Sequence, residues 1–147
     1  MKRHLGVIQS SDCFAAAQRA HVLAEFPEDG IEYTPVGALW RIVVRAAPDG
    51  GRGVWPLLER SSWRCRVCDQ GIFECDTWPY QVQPRHGRRT LTLTPECPAV
   101  TDGRLGAMRT RGAELLPDIR AELDRYPERL IPDYDGVIEL ADLDPAP

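Results

Sequence analysis

The chain has 147 residues, of which 43% are hydrophobic and 27% charged, so its composition predicts a folded protein with one substantial core and excludes global disorder. No stretch approaches the roughly 18 consecutive apolar residues that a membrane-spanning helix needs. The net charge of −4 at pH 7 argues against a chain whose whole surface binds polyanions.

The N-terminus has the charged start of a secretory signal but not its apolar region. The apolar run stops at Ile8, and four polar residues follow it. We therefore expect a cytoplasmic protein, or one assembled into a particle that is made in the cytoplasm. The five cysteines would stay reduced in that compartment unless they bind a metal.

The first half of the chain predicts strands around one helix. Leu5–Gln9 is a candidate first strand, and Ser11 or Asp12 can cap a helix that runs to about Phe26. Apolar residues alternate with arginines over residues 38–46, which predicts a half-buried antiparallel strand with a partner strand at Val54–Arg60. The predicted buried stripe of the helix consists of Ala16, Ala20, Leu23 and Phe26.

The second half predicts a hairpin, a helix and a short last strand. Trp78–Val82 is extended, Thr90–Thr94 alternates cleanly, and Arg85–Arg89 is the loop between them. A helix over Ala113–Tyr126 places Pro117 in its first turn, and Val137–Leu140 forms a strand. The predicted apolar face of this helix consists of Leu116, Ile119, Leu123 and Tyr126.

These elements predict an α+β fold with a small, mainly antiparallel sheet and a helix near each end. We expect one domain over residues 1–140, which contains a metal-stapled, zinc-knuckle-like hairpin at about residues 63–98. An acidic, proline-containing tail over residues 141–147 follows it.

The cysteines carry the most specific chemistry in the sequence. Two residues separate Cys65 from Cys68, a spacing that lets one tight turn direct both thiolates at a single ion. Cys75 and Cys97 are the natural third and fourth ligands of a tetrahedral zinc site, and His86 is the alternative fourth ligand.

Other interpretations of the cysteines stay open. They can be buried reduced residues that act as small hydrophobic side chains, or they can hold an iron–sulfur cluster. A redox role is the weakest of these, although Arg64 and Arg66 could lower a thiol pKa. Cys13 and His21 lie on the first predicted helix, where core packing explains them better than metal binding.

Charge is distributed unevenly along the chain. Residues 1–39 have a net charge of −2, residues 40–111 of +5 and residues 112–147 of −7. A basic middle and an acidic end can attract each other within the chain or meet complementary charge on a neighbouring subunit. Seventeen of the 18 basic residues are Arg, which indicates a high-GC coding genome and weakens any functional interpretation of a single Arg.

A basic loop with nearby aromatic residues is the second candidate site. Aromatic rings beside arginines can stack on bases and bind phosphate, although a solvated hairpin tip explains the same residues. The candidate nucleic-acid-binding residues are Arg85, Arg88, Arg89, Trp78 and Tyr80.

The sequence contains none of the catalytic motifs that we sought. No phosphate-binding glycine loop, nucleophile elbow or zinc-protease motif is present, and the acidic residues Asp133, Asp135 and Glu139 do not form an EF-hand pattern. We therefore expect a non-enzymatic, zinc-stabilised interaction or assembly protein, such as a subunit of a larger complex or of a phage particle. A zinc-stabilised nucleic-acid-binding regulator is the alternative.

Overall fold

A computed structural model divides the chain into two compact units, residues 1–76 and residues 77–147. The described part contains three helices and three small antiparallel sheets, which confirms the α+β class but replaces the single predicted sheet with three. Within it no helix is both long and apolar enough to cross a membrane. The described residues are 13–45, 55–59, 61–62, 64–67, 69–95, 97, 100 and 102–144. The predicted strand Leu5–Gln9 lies outside them.

The first unit is built from short elements. Strands β1, β3 and β2 form one antiparallel sheet in that order, and β4 pairs with β5 in a second sheet. The elements are β1 (Cys13–Phe14), α1 (Ala16–Glu25), β2 (Tyr33–Val36), β3 (Leu39–Ile42), β4 (Leu58–Glu59) and β5 (Arg64–Cys65).

Helix α1 is present, but it begins later than the capping residues predicted. Cys13 and Phe14 pair with Arg41 and Trp40 of β3, so the chain is extended there before the helix starts. The side chain of Gln18 accepts a hydrogen bond of 2.9 Å from the Ala15 backbone N–H at the helix start. Pairing with a distant strand therefore overrides the local helix signal at these positions.

The core of the first unit collects apolar residues from β1, α1, β3, β4 and the segments between elements. Val22 is the buried residue of α1, although the predicted stripe did not include it. On β3, Ile42 is buried as predicted, whereas Trp40 is half-buried. The buried cluster consists of Phe14, Val22, Ile31, Ile42, Trp55, Leu57, Leu58, Val67 and Ile72.

The second unit has longer elements. Strands β6, β7 and β8 form one antiparallel sheet in that order, and a bulge lies between Leu91 and Thr92 of the β7–β8 pair. Helix α2 (Phe73–Thr77) spans the point in the sequence where the first unit ends. The other elements are β6 (Tyr80–Arg85), β7 (Arg88–Leu93), α3 (Leu105–Arg125) and β8 (Ile138–Asp142).

A two-residue turn closes the hairpin of β6 and β7. Its residues, His86 and Gly87, have φ values of 51° and 75°. Positive φ at both positions is typical of the type I′ turn, whose twist matches that of paired strands. The predicted hairpin is therefore confirmed, with strands that extend to Arg85 and Arg88.

Helix α3 differs most from its prediction. It begins at Leu105, eight residues before the predicted start, so Pro117 lies in its interior and not in its first turn. The helix approaches the sheet closely at Gly112. A Cβ there would lie 3.0 Å from both Leu140 Cδ1 and Tyr80 Cε1. Strand β8 then takes in the first two residues of the predicted tail.

Candidate functional site

Cys65 lies at the end of a short hairpin in the first unit. It pairs with Leu58, and the next residue continues the ladder because the Arg66 N–H donates to the Leu57 carbonyl at 2.8 Å. The indole N–H of Trp55 donates to Cys65 Sγ at 3.3 Å. A donor directed at the sulfur stabilises negative charge on it, as the outer contacts of metal-binding cysteines do.

Cys75 lies on α2 and packs against the same buried cluster as Cys65. Between them in the sequence, Val67 and Ile72 are almost fully buried in that cluster. The structure therefore gathers two of the predicted ligands around one core. Cys68, three positions after Cys65, lies outside the described residues.

The two candidates for the fourth ligand lie in the second unit. Cys97 is buried there, with 1% of its surface exposed. His86 is in the hairpin turn with a side chain that is 80% exposed, and its Nε2 lies 3.6 Å from Glu139 Oε1. Within the described ranges, no three His, Cys, Asp or Glu side chains are grouped closely enough to hold a metal.

Arg66 anchors the turn that follows Cys65. Its Nη2 donates to Asp29 Oδ2 at 2.6 Å and to the Pro56 carbonyl at 3.2 Å. Its guanidinium carbon lies 4.3 Å from the centre of the Phe26 ring. The positive charge considered in the redox interpretation is thus directed at a carboxylate and an aromatic face.

Carboxylates neutralise the basic hairpin of the second unit. Arg85 contacts Asp133 and donates from Nε to Glu139 Oε1 at 2.6 Å. Arg88 contacts Asp142 at 2.9 Å, and the side chains of this pair are 44% and 41% exposed. The predicted attraction between the basic middle and the acidic end therefore operates inside this unit.

Arg89 has two acidic partners. Its Nε donates to Asp144 at 3.1 Å, and its Nη1 donates to Asp124 at 2.7 Å. Hydrogen bonds from Arg89 hold the pKa of the Asp144 carboxyl below its ordinary value. Bonds from Arg88 and then from Thr90 do the same for the pKa of Asp142. All three arginines of the candidate nucleic-acid site are ion-paired.

The two aromatic residues of that candidate site do not have fully exposed rings on which a base could stack. Tyr80 is 5% exposed, and its hydroxyl donates to the Met108 carbonyl at 2.7 Å. Burial raises the pKa of Tyr80 above its ordinary value. Trp78 is half-buried. Base stacking on Tyr80 would therefore require the sheet and α3 to separate.

Two charged clusters had no signal in the sequence. The guanidinium carbon of Arg19 lies 4.1 Å from the centre of the Trp40 ring and 5.6 Å from the centre of the Tyr33 ring. Arg129, with a side chain only 4% exposed, donates from Nε to Glu122 at 2.8 Å. No local pattern distinguishes these arginines from the exposed ones.

Comparison with known proteins adds no assignment to this geometry. The chain matches no family model, no curated protein and no solved structure.

Proposed function

We propose that this chain is a non-enzymatic interaction or assembly protein, made in the cytoplasm as a subunit of a larger complex or of a phage particle. Its first unit would carry a structural zinc ion on Cys65, Cys68 and Cys75. The fourth ligand would be Cys97, with His86 as the alternative.

The observation that supports zinc is the gathering of Cys65 and Cys75 on one core. The described strands of the first unit have only two to four residues, so their backbone hydrogen bonds contribute little to holding that core. A metal ion that links the β5 turn to α2 would supply the missing constraint, as it does in other small domains.

The ion pairs of the basic hairpin favour an assembly role over nucleic-acid binding. A phosphate backbone would have to displace carboxylates that already neutralise Arg85, Arg88 and Arg89. Counterion release drives nucleic-acid affinity, and an arginine that is already paired contributes less of it. Protein contacts place no such requirement on these side chains.

Elemental analysis tests the zinc proposal. Protein purified without chelators should contain about one zinc per chain. Cys65→Ser and Cys68→Ser should lose the metal, and Cys13→Ser should retain it. Separate Cys97→Ser and His86→Ala variants decide the fourth ligand. Less than about 0.2 equivalents in the wild type would contradict the proposal.

A binding titration and the native mass together test the assembly proposal. We expect complexes above the monomer mass in native mass spectrometry of the wild type with its partners. We also expect no salt-dependent binding of a short fluorescent oligothymidylate. Binding that weakens steeply with salt, and further with Arg88→Ala and Arg89→Ala, would favour the nucleic-acid alternative instead.

A further inference from the structure

Strand β8 is held on the second unit chiefly by its pairing with β7, and it also lies against α3 at Leu140. It pairs with β7, which is its strand partner within the described part of the chain. Just beyond it, the Leu143 N–H donates to the Arg89 carbonyl at 2.7 Å, and Leu143 is fully buried. Since β8 lies at the edge of the described sheet, it can separate from β7 without breaking the β6–β7 pairing.

Charged contacts add to this pairing, and their partners are far away in the sequence. Glu139, Asp142 and Asp144 receive hydrogen bonds from arginines of the β6–β7 hairpin, 54 to 55 residues earlier. Their side chains are 41–43% exposed, so salt and competing charges reach them. The same contacts could form between the β6–β7 hairpin of one molecule and β8 of another.

A tight turn separates β8 from a segment that stays bound to β6. The Ile131 N–H donates to the Val82 carbonyl at 3.0 Å, and the Tyr134 hydroxyl donates to Gln81 Oε1 at 2.7 Å. The turn follows at once at residues 135 and 136, where Gly136 has a φ of 88°. The chain is therefore anchored up to residue 134 and redirected by one glycine.

We propose that this turn is a hinge and that β8 exchanges between two copies of the chain. Opening residues 135 and 136 to an extended conformation would carry β8 of one copy onto β7 of another. The same ladder and the same ion pairs would then form between chains as form within one. This inference rests on the proposed assembly function and names a second copy as a partner.

A matched pair of glycine substitutions tests the hinge. Alanine at a φ near +88° is strained, and opening the turn relieves that strain. Gly136→Ala should therefore raise the dimer fraction roughly fivefold or more, measured by light scattering across concentrations. Gly103→Ala is the control, because Gly103 has a φ of 87° in a turn outside the hinge, and no atom lies within 4 Å of the Cβ that alanine would add. Equal dimer fractions for the two variants would overturn the hinge.

Charge reversal in two separate chains tests the exchange itself. Arg88→Asp and Asp142→Arg each place like charges together in a monomer. In an exchanged dimer of one chain of each kind, one site brings the two introduced side chains together with opposite charges, and the other restores the original pair. Mixing the two variants should therefore give roughly tenfold more dimer than either variant alone.

The outcomes separate this inference from the proposed function. If the mixture contains only the species that each variant forms alone, and no dimer of one chain of each kind, strand exchange is overturned. Complexes formed by the wild type in that case would use another surface, and assembly would stand. Dimers in the mixture, together with self-association of the wild type, support exchange. Wild-type protein that does not bind itself at any concentration overturns exchange, and its binding to a different partner would still support assembly.

Discussion

The two units of this chain reach stability by different routes. In the first unit, no described strand exceeds four residues, and apolar side chains converge from short pieces of chain. In the second unit, strands of five and six residues form one sheet against a helix of 21 residues. The second architecture has long paired strands, whereas the described strands of the first are short, and Cys65 and Cys75 pack against its core.

Arginine also serves different purposes in the two units. In the first, Arg19 and Arg66 lie over the rings of Trp40 and Phe26, and Arg66 also pairs with Asp29. In the second, Arg88 and Arg89 pair with carboxylates near the chain end. Stacked arginines depend on local packing, whereas paired ones depend on charges that salt screens. We therefore expect the second unit to respond more strongly to ionic strength.

Loss of the proposed zinc should produce the largest effect, chiefly in the first unit, which contains three of its four proposed ligands. Cys65→Ser, or a strong chelator, should lower the free energy of unfolding of that unit by several kcal/mol, because a structural site contributes its binding energy to folding. Amide hydrogen exchange should show protection lost around residues 55–67 and kept in β6 and β7.

Cys13→Ser is the control for that experiment. Cys13 is fully buried on β1, so its substitution places a hydroxyl in the core at a cost of about 1–2 kcal/mol. Equal losses of stability in the Cys13 and Cys65 variants would mean that the ligands have been assigned incorrectly.

The second-largest effect is expected at the buried ion pair of the second unit. Glu122→Ala leaves the Arg129 guanidinium buried without this carboxylate, which should destabilise the unit by roughly 2–3 kcal/mol. Glu114→Ala on the same helix removes an exposed pair with Arg111 and should cost less than about 0.5 kcal/mol. Chemical denaturation measures both, and similar values would show that burial of Arg129 is not decisive.

Two glycines of α3 should respond in opposite directions to alanine. At Gly112 a methyl group would press against Leu140 and Tyr80, so Gly112→Ala should cost about 1–2 kcal/mol despite its better helix propensity. At Gly106 no atom lies within 4 Å of the added Cβ, so Gly106→Ala should stabilise by roughly 0.5 kcal/mol. Thermal denaturation of both variants is sufficient, and a neutral Gly112→Ala would show that the helix can shift outward.

Local signals predicted those elements whose shape depends on neighbours in the sequence. The β6–β7 hairpin and most of α1 follow from alternation and helix propensity, and the structure contains both. The close approach of Gly112 to the sheet and the pairing of Cys13 and Phe14 with β3 are contacts between distant parts of the chain. Such tertiary contacts leave no periodic pattern, so the sequence could not predict them.

The same distinction holds for the candidate sites. The spacing of the cysteines predicted a shared metal site, and that stays a prediction. The structure packs Cys65 and Cys75 against the same buried cluster. The composition of the basic loop predicted exposed arginines, but it could not show that Asp142 and Asp144 would neutralise Arg88 and Arg89. Contacts across more than 50 residues depend on the sheet order, which the sequence did not reveal.

The smallest expected effect compares one tyrosine hydroxyl from each unit. The Tyr33 hydroxyl is buried with no hydrogen-bond partner among the described residues, so Tyr33→Phe should be neutral or stabilising by up to about 1 kcal/mol at pH 7. Tyr80→Phe removes the bond to the Met108 carbonyl and should cost about 1 kcal/mol.

Burial raises the pKa of Tyr33 to about 12, so the neutral side chain favours folding below pH 10. That contribution should be lost as the pH rises from about 10 to 12, because the unfolded chain ionises first. Wild-type protein should therefore lose more stability than Tyr33→Phe between denaturation curves at about pH 9 and about pH 11. Parallel losses in the two proteins would place the Tyr33 hydroxyl in water.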